Sequence, residues 1–411
     1  MTTVALIGTL DTKGEEYRWL ADGLAREDVR ALTIDVGPLS DAAADIPAAQ
    51  VAEAGGSSLT ALREAGDRGA ALTTMARGAA AVLVDLYRRG EVDAVLSVGG
   101  SGGSSVAAQA MQALPVGAPK LLVSTMASGD VSPYVGESDV TLMYSVVDIA
   151  GINSLSEQVL GNAVAAIAGM ARAAHARRER PADSAHRPMV ALTMFGLTTP
   201  ACDEAREELT ALGYEPVVFH ATGSGGRAME RLAADGFLAG VLDLTTTELA
   251  DDLVGGVLTA GPDRLTAAGA AGVPQVVGVG ALDMVNFGPE ASVPERFAGR
   301  RFLVHNPTVT LMRTTAEEMR TLGERLTEKV RAGHGPRAVV LPLRGVSGID
   351  IEGGPFADAE ADAALFDAVR TGLSGSDIRL VESDQHINDP GFGRAAARLL
   401  HELIATSTQE D

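Results

Sequence analysis

Residues 97–105 read SVGGSGGSS, and this stretch indicates the fold class. It follows the apolar run Ala94–Val98, which is typical of a buried strand, and it leads into a helical pattern at Ser104–Gln112. Glycines let the backbone turn sharply and present successive N–H groups, and the start of a helix adds partial positive charge. The segment therefore predicts a strand, a turn and a helix that bind phosphate or carboxylate; a tight turn whose glycines serve packing is the alternative. It is not a Walker A loop, because it lacks Gly-Lys-Ser/Thr.

The same alternation of strands and helices extends over the whole chain. The first half predicts strands at Val4–Ile7, Ala31–Val36, Ala94–Val98, Leu121–Thr125 and Val140–Val147, and helices at Glu15–Arg26, Arg68–Arg89, Ser104–Gln112 and Ser156–Ala174. The second half predicts strands at Met189–Met194, Pro216–His220, Gly240–Leu244, Gln275–Gly278, Phe302–Val304, Ala338–Pro342 and Arg379–Glu382, and helices at Cys202–Leu212, Gly226–Ala234, Thr246–Leu253, Thr315–Arg331, Ala357–Arg370 and Gly391–Ile404. We therefore predict an α/β protein with two Rossmann-like domains, each an open, mainly parallel sheet with helices on both faces.

A charged, alanine-rich segment at Arg172–Pro188 separates the two halves. We place a nucleotide-binding domain at residues 1–178, a linker at 179–188, and a second domain with the substrate site at 189–411. Each half carries the tetrapeptide GSGG, at residues 100–103 and 223–226. Duplication of one α/β unit is therefore a hypothesis, and chance similarity of common strand–helix turns is the alternative.

Composition excludes several classes of protein. The 411 residues carry a formal net charge of −21, which repels nucleic acid and anionic membrane surfaces. The single cysteine, Cys202, cannot form an intrachain disulfide, which fits a reducing compartment. The N-terminus lacks a secretory pattern, and no apolar run approaches the ~18 residues of a membrane span. We expect a cytoplasmic protein that binds neither nucleic acid nor membrane.

Two further polar segments of the first half follow predicted strands. In GTLDTKGEE, residues 8–16, Lys13 can meet a phosphate and Asp11 can hold Mg²⁺, although Asp11 or Thr12 can instead cap the helix. STMASGDVSPYVGESD, residues 124–139, can close over a nucleotide with Asp130 as a metal or ribose partner, or it is a plain surface loop. Ligands of open α/β sheets lie at the carboxyl ends of the strands, where these segments would meet. The predicted Mg²⁺ ligands are Asp11 and Asp130, and the predicted nucleotide-binding residues are Gly8, Thr9, Asp11, Thr12, Lys13, Gly99, Gly100, Ser101, Gly102, Gly103, Ser104, Ser105, Thr125, Ser128 and Gly129.

The second half also places polar side chains after its predicted strands. Imidazoles, carboxylates and a guanidinium can together do acid–base chemistry on an anionic small molecule. No HExxH, CxxC or G-x-S-x-G pattern indicates a zinc site or a serine hydrolase. The candidate catalytic residues are His220, His305, His386, Asp243, Glu248 and Arg344.

An ordered set of these motifs resembles the bacterial proteins related to the tomato mosaic virus resistance protein. The set comprises GTLDTKGEE, VGGSGGSS, STMASGD, YSVVDIAGIN, FHATGSGGRAME, LDLTTTELADDLVGG, GALDMVNFG, HNPTVTLMRTT, LPLRGVS and HINDP, and it covers nearly the whole chain. The resemblance implies a two-domain α/β fold, ATP bound on the turns of the first domain, and a homodimer. It does not supply the reaction of the bacterial proteins.

Three functions remain open at this stage. The first is an ATP- and Mg²⁺-dependent enzyme that activates a small organic acid in the interdomain cleft. The second is a lyase or hydrolase that uses the histidines and Arg344, with ATP in a regulatory role. The third is a nucleotide-responsive binding or switch protein without turnover.

Overall fold

The computed structural model describes residues 1–179 and 187–407. The chain divides into two compact units, Met1–Ser184 and Ala185–Asp411. The linker expected at residues 179–188 falls mostly on residues 180–186, outside the described residues.

The first unit alternates strands and helices around a parallel sheet. Its elements are β1 (Thr3–Gly8), α1 (Leu10–Arg26), β2 (Arg30–Asp35), α2 (Ala48–Ala54), α3 (Leu59–Ala65), α4 (Arg68–Arg88), β3 (Ala94–Gly99), α5 (Ser101–Gln112), β4 (Lys120–Ser124), α6 (Ser132–Val135), β5 (Thr141–Tyr144) and α7 (Ser154–Glu179). The strand order is β2-β1-β3-β4-β5, and every pairing is parallel.

Both faces of this sheet are covered, because alternate residues of its central strands enter two separate cores. Ile7, Val95 and Leu122 pack on one side with residues of α4 and α5. Leu6 and Leu96 pack on the other side with residues of α1 and α7. Strands buried on both faces read as continuous apolar runs rather than alternating ones, which is why the sequence located them. The predicted α/β class is confirmed.

Helix α4 is long and apolar enough to cross a membrane by length and composition alone. Its residues Met75, Ala79 and Leu83 are fully buried in the core of the first unit. One face of the helix therefore packs in the core of the first unit.

The second unit repeats the architecture with additions. Its elements are β6 (Met189–Met194), α8 (Thr199–Ala211), β7 (Glu215–His220), α9 (Ser224–Ala234), β8 (Gly240–Thr245), α10 (Glu248–Val254), α11 (Ala267–Ala270), β9 (Gln275–Gly280), β10 (Met284–Phe287), β11 (Phe302–Asn306), β12 (Val309–Arg313), α12 (Ala316–Ala332), β13 (Arg337–Pro342), α13 (Ala359–Leu373), β14 (Arg379–Ser383) and α14 (Phe392–Ser407). A parallel sheet has the order β14-β13-β9-β8-β6-β7, and a separate antiparallel sheet has the order β10-β12-β11.

The antiparallel sheet is the main departure from the expected fold. The strand expected at Phe302–Val304 exists, but as β11 it pairs with β12 and not with the parallel sheet. β10 and β12 were not predicted, because each is only four or five residues long and merges with the polar turns beside it. The short helices α2, α3 and α6 also escaped prediction, since they have too few turns to display a helical period.

Strand order reverses once in each parallel sheet, between β1 and β3 in the first unit and between β6 and β8 in the second. Such switch points open crevices at the carboxyl ends of the strands. The first five parallel strands of each unit share one order, as the duplication hypothesis requires. The two GSGG tetrapeptides do not correspond, however, because residues 100–103 follow the third strand of their sheet and residues 223–226 follow the second.

Candidate functional site

The first glycine turn joins β3 to α5 beside the switch point of the first unit. α5 begins at Ser101, three residues earlier than predicted, so the glycines form its first turn. The N–H of Ser104 bonds to the carbonyl of Gly100 at 2.9 Å, whereas the N–H groups of Ser101, Gly102 and Gly103 precede the first intrahelical bond. Gly100 supplies no side-chain cap. These donors therefore point outward at the positive end of a helix of 12 residues.

Packing within the protein does not demand glycine in this turn. A Cβ on Gly102 would stand 3.6 Å from Nη2 of Arg68 and 3.7 Å from Cδ1 of Leu72. A Cβ on Gly103 would stand 3.9 Å from Oγ1 of Thr9. These are ordinary contact distances, and neither glycine has a positive φ. Glycine here leaves the backbone open to close approach, which is one of its uses at ligand sites.

The second glycine turn, at residues 223–226, shows what such a turn binds. Oε1 of Glu248 accepts hydrogen bonds from the N–H groups of Gly223, at 2.6 Å, and Gly226, at 3.1 Å. A Cβ on Gly226 would overlap the Glu248 carboxylate. The protein's own anion thus fills the turn of the second unit. In the first unit, the residues that the structure describes place no carboxylate on the N–H groups of Ser101, Gly102 and Gly103.

The turn after β1 faces the glycine turn across the switch point. Thr9 precedes α1, and its hydroxyl lies 3.0 Å from that of Thr12. Asp11 packs against the α-carbon of Gly37. Nζ of Lys13 donates to the carbonyl of Ile149, and Lys13 has a non-helical backbone that bends α1 at this point. Lys13 therefore has one partner within the protein, and its ammonium has further donors to offer.

Gly8 serves this crevice indirectly. A Cβ on Gly8 would overlap the ring of Tyr17 from α1. The Tyr17 hydroxyl donates to the carbonyl of Ile7 and accepts from the N–H of Val98 at 2.9 Å. Burial raises the pKa of Tyr17 to about 12. Tyr17 therefore satisfies backbone groups where β1 and β3 part, and the structure gives Gly8 a packing role.

We expect Gly8→Ala to destabilise the chain by about 1–3 kcal/mol, because the added methyl group overpacks the Tyr17 ring. Urea unfolding checks this value. Gly14→Ala on α1 is the matched control, since nothing lies within 4 Å of its Cβ position and we expect no loss of stability. Equal stability of both variants would contradict the packing role.

The two turns line one cavity of about 470 Å³. Its size is within the range of small-molecule sites. Its lining combines the glycine turn at the start of α5 with aliphatic side chains from the loop after β2 and from α3 and α4. The lining residues are Thr9, Asp11, Thr12, Lys13, Pro38, Leu39, Leu62, Arg63, Gly66, Asp67, Arg68, Ala71, Leu72, Gly100, Ser101, Gly102 and Gly103.

Several residues expected to bind nucleotide do not line this cavity. Oγ of Ser104 is buried and lies 2.7 Å from Oγ of Ser124, so it braces the turn from behind. Oγ1 of Thr125 would lie 3.8 Å from a Cβ on Gly100, beside the turn. Asp130 is exposed and accepts hydrogen bonds from Ser132, which lower its pKa. The expected residues outside the lining are Gly8, Gly99, Ser104, Ser105, Thr125, Ser128, Gly129 and Asp130.

Two carboxylates lie near the cavity on the side of β2. Asp11 lines it, and Asp35 ends β2 just before the loop that contributes Pro38 and Leu39 to the lining. Oδ1 of Asp35 accepts from the N–H groups of Leu10, at 3.1 Å, and Gly37, at 2.9 Å, and burial raises the pKa of Asp35. Within the described residues, no group of three or more His, Cys, Asp and Glu side chains forms a metal cage. Mg²⁺ suits such a site only as a partner shared between a carboxylate and phosphate oxygens.

In the second unit, Asp243 and Glu248 belong to a buried ion cluster. Both side chains are fully buried and contact Arg264, whose Nη2 lies 2.7 Å from Oδ1 of Asp243 and whose Nε donates to Glu248. Glu230 adds a third carboxylate at 3.1 Å. Burial raises the pKa of Glu248 against the attraction of Arg264. Burial would lower the pKa of Arg264, but attraction to the carboxylates raises it well above its usual value. This arrangement stabilises the turn and leaves neither acid facing solvent.

The three histidines are spread over the second unit. His220 ends β7 and stacks on Phe195, with ring centroids 5.7 Å apart. His386 follows β14 and is buried, with Nε2 2.7 Å from the carbonyl of Ser347. β7 and β14 are opposite edges of the sheet, five steps of about 4.8 Å or roughly 24 Å apart. His305 lies on the antiparallel sheet. The structure therefore does not bring these imidazoles together around one small substrate.

Arg344 is exposed and forms two hydrogen bonds of 2.7 Å with Asp384. Hydrogen bonding to Asp384 raises its pKa. This pair satisfies its guanidinium on the surface. The residues that sequence reasoning missed instead lie in the first unit, namely Arg68 and the aliphatic wall, and only a long-range contact between α4 and the glycine turn reveals them.

Comparison with known proteins places the chain in a family. The model for the N-terminal domain of the uncharacterised protein family UPF0261 matches residues 2–176, and the model for its C-terminal domain matches residues 187–404. The chain belongs to UPF0261. A UPF0261 protein of Clostridium tetani is 47% identical over 403 residues, covering 98% of each chain.

The tomato ToMV resistance protein Tm-1(GCR237), from Solanum lycopersicum, is 42% identical over 329 residues. This match covers 80% of the present chain and 44% of the tomato protein. The resemblance inferred from the motifs is thereby confirmed. A solved structure of the glycosyltransferase VinC in complex with DTDP aligns over 98% of this chain and 100% of its own, at 12% identity and a TM-score of 0.20, which is too low to support an argument.

Proposed function

We propose that the first unit binds a phosphate-bearing nucleotide, ATP together with Mg²⁺, in the cavity between the turn after β1 and the glycine turn after β3. One observation carries this proposal. The glycine turn presents N–H donors at a helix start beside a switch point, and its glycines have no packing reason to be glycine. The Glu248-filled turn of the second unit supports the preference for an anion.

The lining of the cavity offers contacts for both parts of a nucleotide. Phosphate oxygens would accept from the N–H groups of Ser101, Gly102 and Gly103, with the ammonium of Lys13 nearby. The purine would lie on the aliphatic side chains of Pro38, Leu39 and Leu62. Leu39 is 69% exposed, and an exposed leucine of this size gains from being covered by a ring.

Asp11 is the residue that would hold Mg²⁺. Its carboxylate lines the cavity and has no hydrogen-bond or ion-pair partner among the described residues. Mg²⁺ is commonly held by one or two carboxylates together with substrate phosphates, and when bound it neutralises charge on the phosphate chain. We assign no metal role to Asp130, which is satisfied by Ser132 and lies outside the cavity lining.

We do not extend the proposal to a catalytic set in the second unit. Asp243 and Glu248 are neutralised by Arg264, and His220 and His386 are on opposite edges of the sheet. Consumption of ATP on a small organic acid is therefore tested separately, by phosphate release. A cytoplasmic location and a homodimer are further expectations, from the single buried Cys202 and from the resemblance respectively.

Titration calorimetry of the full chain with ATP, with Mg²⁺ and with EDTA, tests the proposal. We expect binding that Mg²⁺ strengthens, and we expect Asp11→Asn to lose about 10-fold in affinity only when Mg²⁺ is present. Asp22→Asn, an exposed carboxylate on the same helix, is the control. Absence of ATP binding would refute the proposal, and an equal loss with and without Mg²⁺ would refute the metal role of Asp11.

Phosphate release, measured with and without a panel of small carboxylic acids, addresses turnover. Release stimulated by one acid would establish an ATP-dependent enzyme and identify its substrate. Binding without release would favour a nucleotide-responsive switch.

A further inference from the structure

Arg68 occupies an unusual position over the glycine turn. It is the first residue of α4, directly after the N-cap Asp67, whose Oδ1 accepts from the N–H of Ala70 at 3.0 Å. Its side chain lines the same cavity as the glycine turn. Its Nη2 lies 3.6 Å from the point where a Cβ on Gly102 would stand. A guanidinium therefore faces the outward N–H groups of α5 across a gap of a few ångströms.

This guanidinium has no partner in the described part of the chain, residues 1–179 and 187–407. Arg63 lines the same cavity, but its Nε donates to the carbonyl of Pro38 and its Nη2 donates to the carbonyl of Ser40 and forms an ion pair with Asp41 at 3.0 Å. The contrast is notable in a chain of net charge −21, where a surface arginine readily finds a carboxylate. Arg68, unlike Arg63, has no donor committed to a partner among the described residues.

Electrostatics make the position unfavourable unless an anion is bound. Helix N-termini carry partial positive charge, so cations are disfavoured there. Arg68 lies at the start of its own helix and also over the start of α5, so its charge opposes two helix dipoles at once. An anion placed between the guanidinium and the N–H groups of α5 would be attracted to both and would offset the repulsion between them.

We propose that Arg68 binds the phosphate group seated in the glycine turn and closes the anion site from the side of α4. This rests on the proposed function, to which it adds a residue and a direction of approach. The phosphate is held between backbone N–H donors on one side and a planar guanidinium on the other. A guanidinium can donate two parallel hydrogen bonds to phosphate, which an ammonium cannot.

The test compares Arg68→Ala and Arg68→Lys with the wild-type chain by titration calorimetry, using ATP, inorganic pyrophosphate and adenosine. We expect Arg68→Ala to lose about 10- to 100-fold in affinity for ATP and pyrophosphate, the range of a charge-assisted contact, and to keep its affinity for adenosine. The affinity of Arg68→Lys for ATP and pyrophosphate should lie between that of Arg68→Ala and that of the wild-type chain. Arg88→Ala, at the other end of the same helix, is the matched control and should bind as wild type.

The outcomes separate this inference from the function on which it rests. Wild-type affinity of Arg68→Ala for both anions would overturn the role of Arg68 and leave nucleotide binding intact. An equal loss for adenosine would also overturn it, because Arg68 would then shape the cavity rather than bind phosphate. No binding of any ligand by the wild-type chain would overturn the proposed function, and this inference with it. Thermal unfolding of each variant checks that the fold is retained.

Discussion

Replacing Gly102 with leucine is expected to abolish ATP binding, a loss of at least about 100-fold or roughly 2.7 kcal/mol, while the chain stays folded. Gly102 has no positive φ, and its Cβ would meet only ordinary contacts, so the backbone accepts a side chain. The remaining atoms of the leucine would project into the cavity between Arg68 and Leu72, where a phosphate would have to approach the backbone. Titration calorimetry with ATP and Mg²⁺ measures the effect.

Gly169→Leu on the exposed face of α7 is the control for this substitution. Nothing lies within 4 Å of its Cβ position, so it adds the same apolar surface far along the chain from either turn. We expect this variant to bind ATP as the wild-type chain does. Undiminished binding by Gly102→Leu would place the nucleotide elsewhere and overturn the assignment of the glycine turn.

Replacing Arg264 with alanine is expected to destabilise the second unit by about 3–5 kcal/mol. The substitution removes the cation from a fully buried cluster and leaves Asp243 and Glu248 without their counter-charge. Such carboxylates must then be buried uncompensated or take up protons, and either costs stability. The glycine turn at residues 223–226 would loosen as well, because Glu248 is its anion. Urea unfolding of the full chain measures the loss.

Two further variants make this prediction specific. Arg344→Ala removes an exposed guanidinium paired with Asp384, and we expect no measurable change in stability. Arg264→Lys keeps the charge but not the forked geometry, so we expect an intermediate loss should the alanine variant fail to fold. Wild-type stability of Arg264→Ala would contradict the structural role of the cluster and return Asp243 and Glu248 to the list of candidate catalytic groups.

The parallel sheets could be predicted because their central strands β1, β3, β8 and β9 are buried throughout and leave largely apolar runs in the sequence. The helices covering them repeat apolar residues with the period of a helix. Helix α12 also begins with a capping box formed by Thr315 and Glu318. The glycine turn after β3 could be located because it lies between an apolar strand and a helix that the sequence also predicts. The sequence was therefore sufficient for strands, helices and turns whose structure depends on neighbouring residues in the chain.

Whether a carboxylate of the protein fills each glycine turn could not be predicted, because this depends on residues distant in the chain. Glu248 fills a turn that begins 25 residues before it, and Arg264 neutralises it from a loop 16 residues after it. Arg68 approaches Gly102 from the far end of a helix. In the sequence, the strand-end acids of the second half look as available as those of the first. Only the burial of a carboxylate and its hydrogen-bond and ion-pair partners distinguish one that stabilises the fold from one that can act on a ligand.

Because Glu248 is part of the chain, the second glycine turn holds an anion without any free ligand. A tethered anion is present at an effectively fixed concentration, so its turn is saturated in every folded molecule. A turn that waits for a free ligand is occupied only in proportion to that ligand, and the stability gained follows mass action. Under the proposed function, the occupancy of the first turn and the stability gained there vary with the nucleotide concentration, whereas the occupancy of the second turn does not.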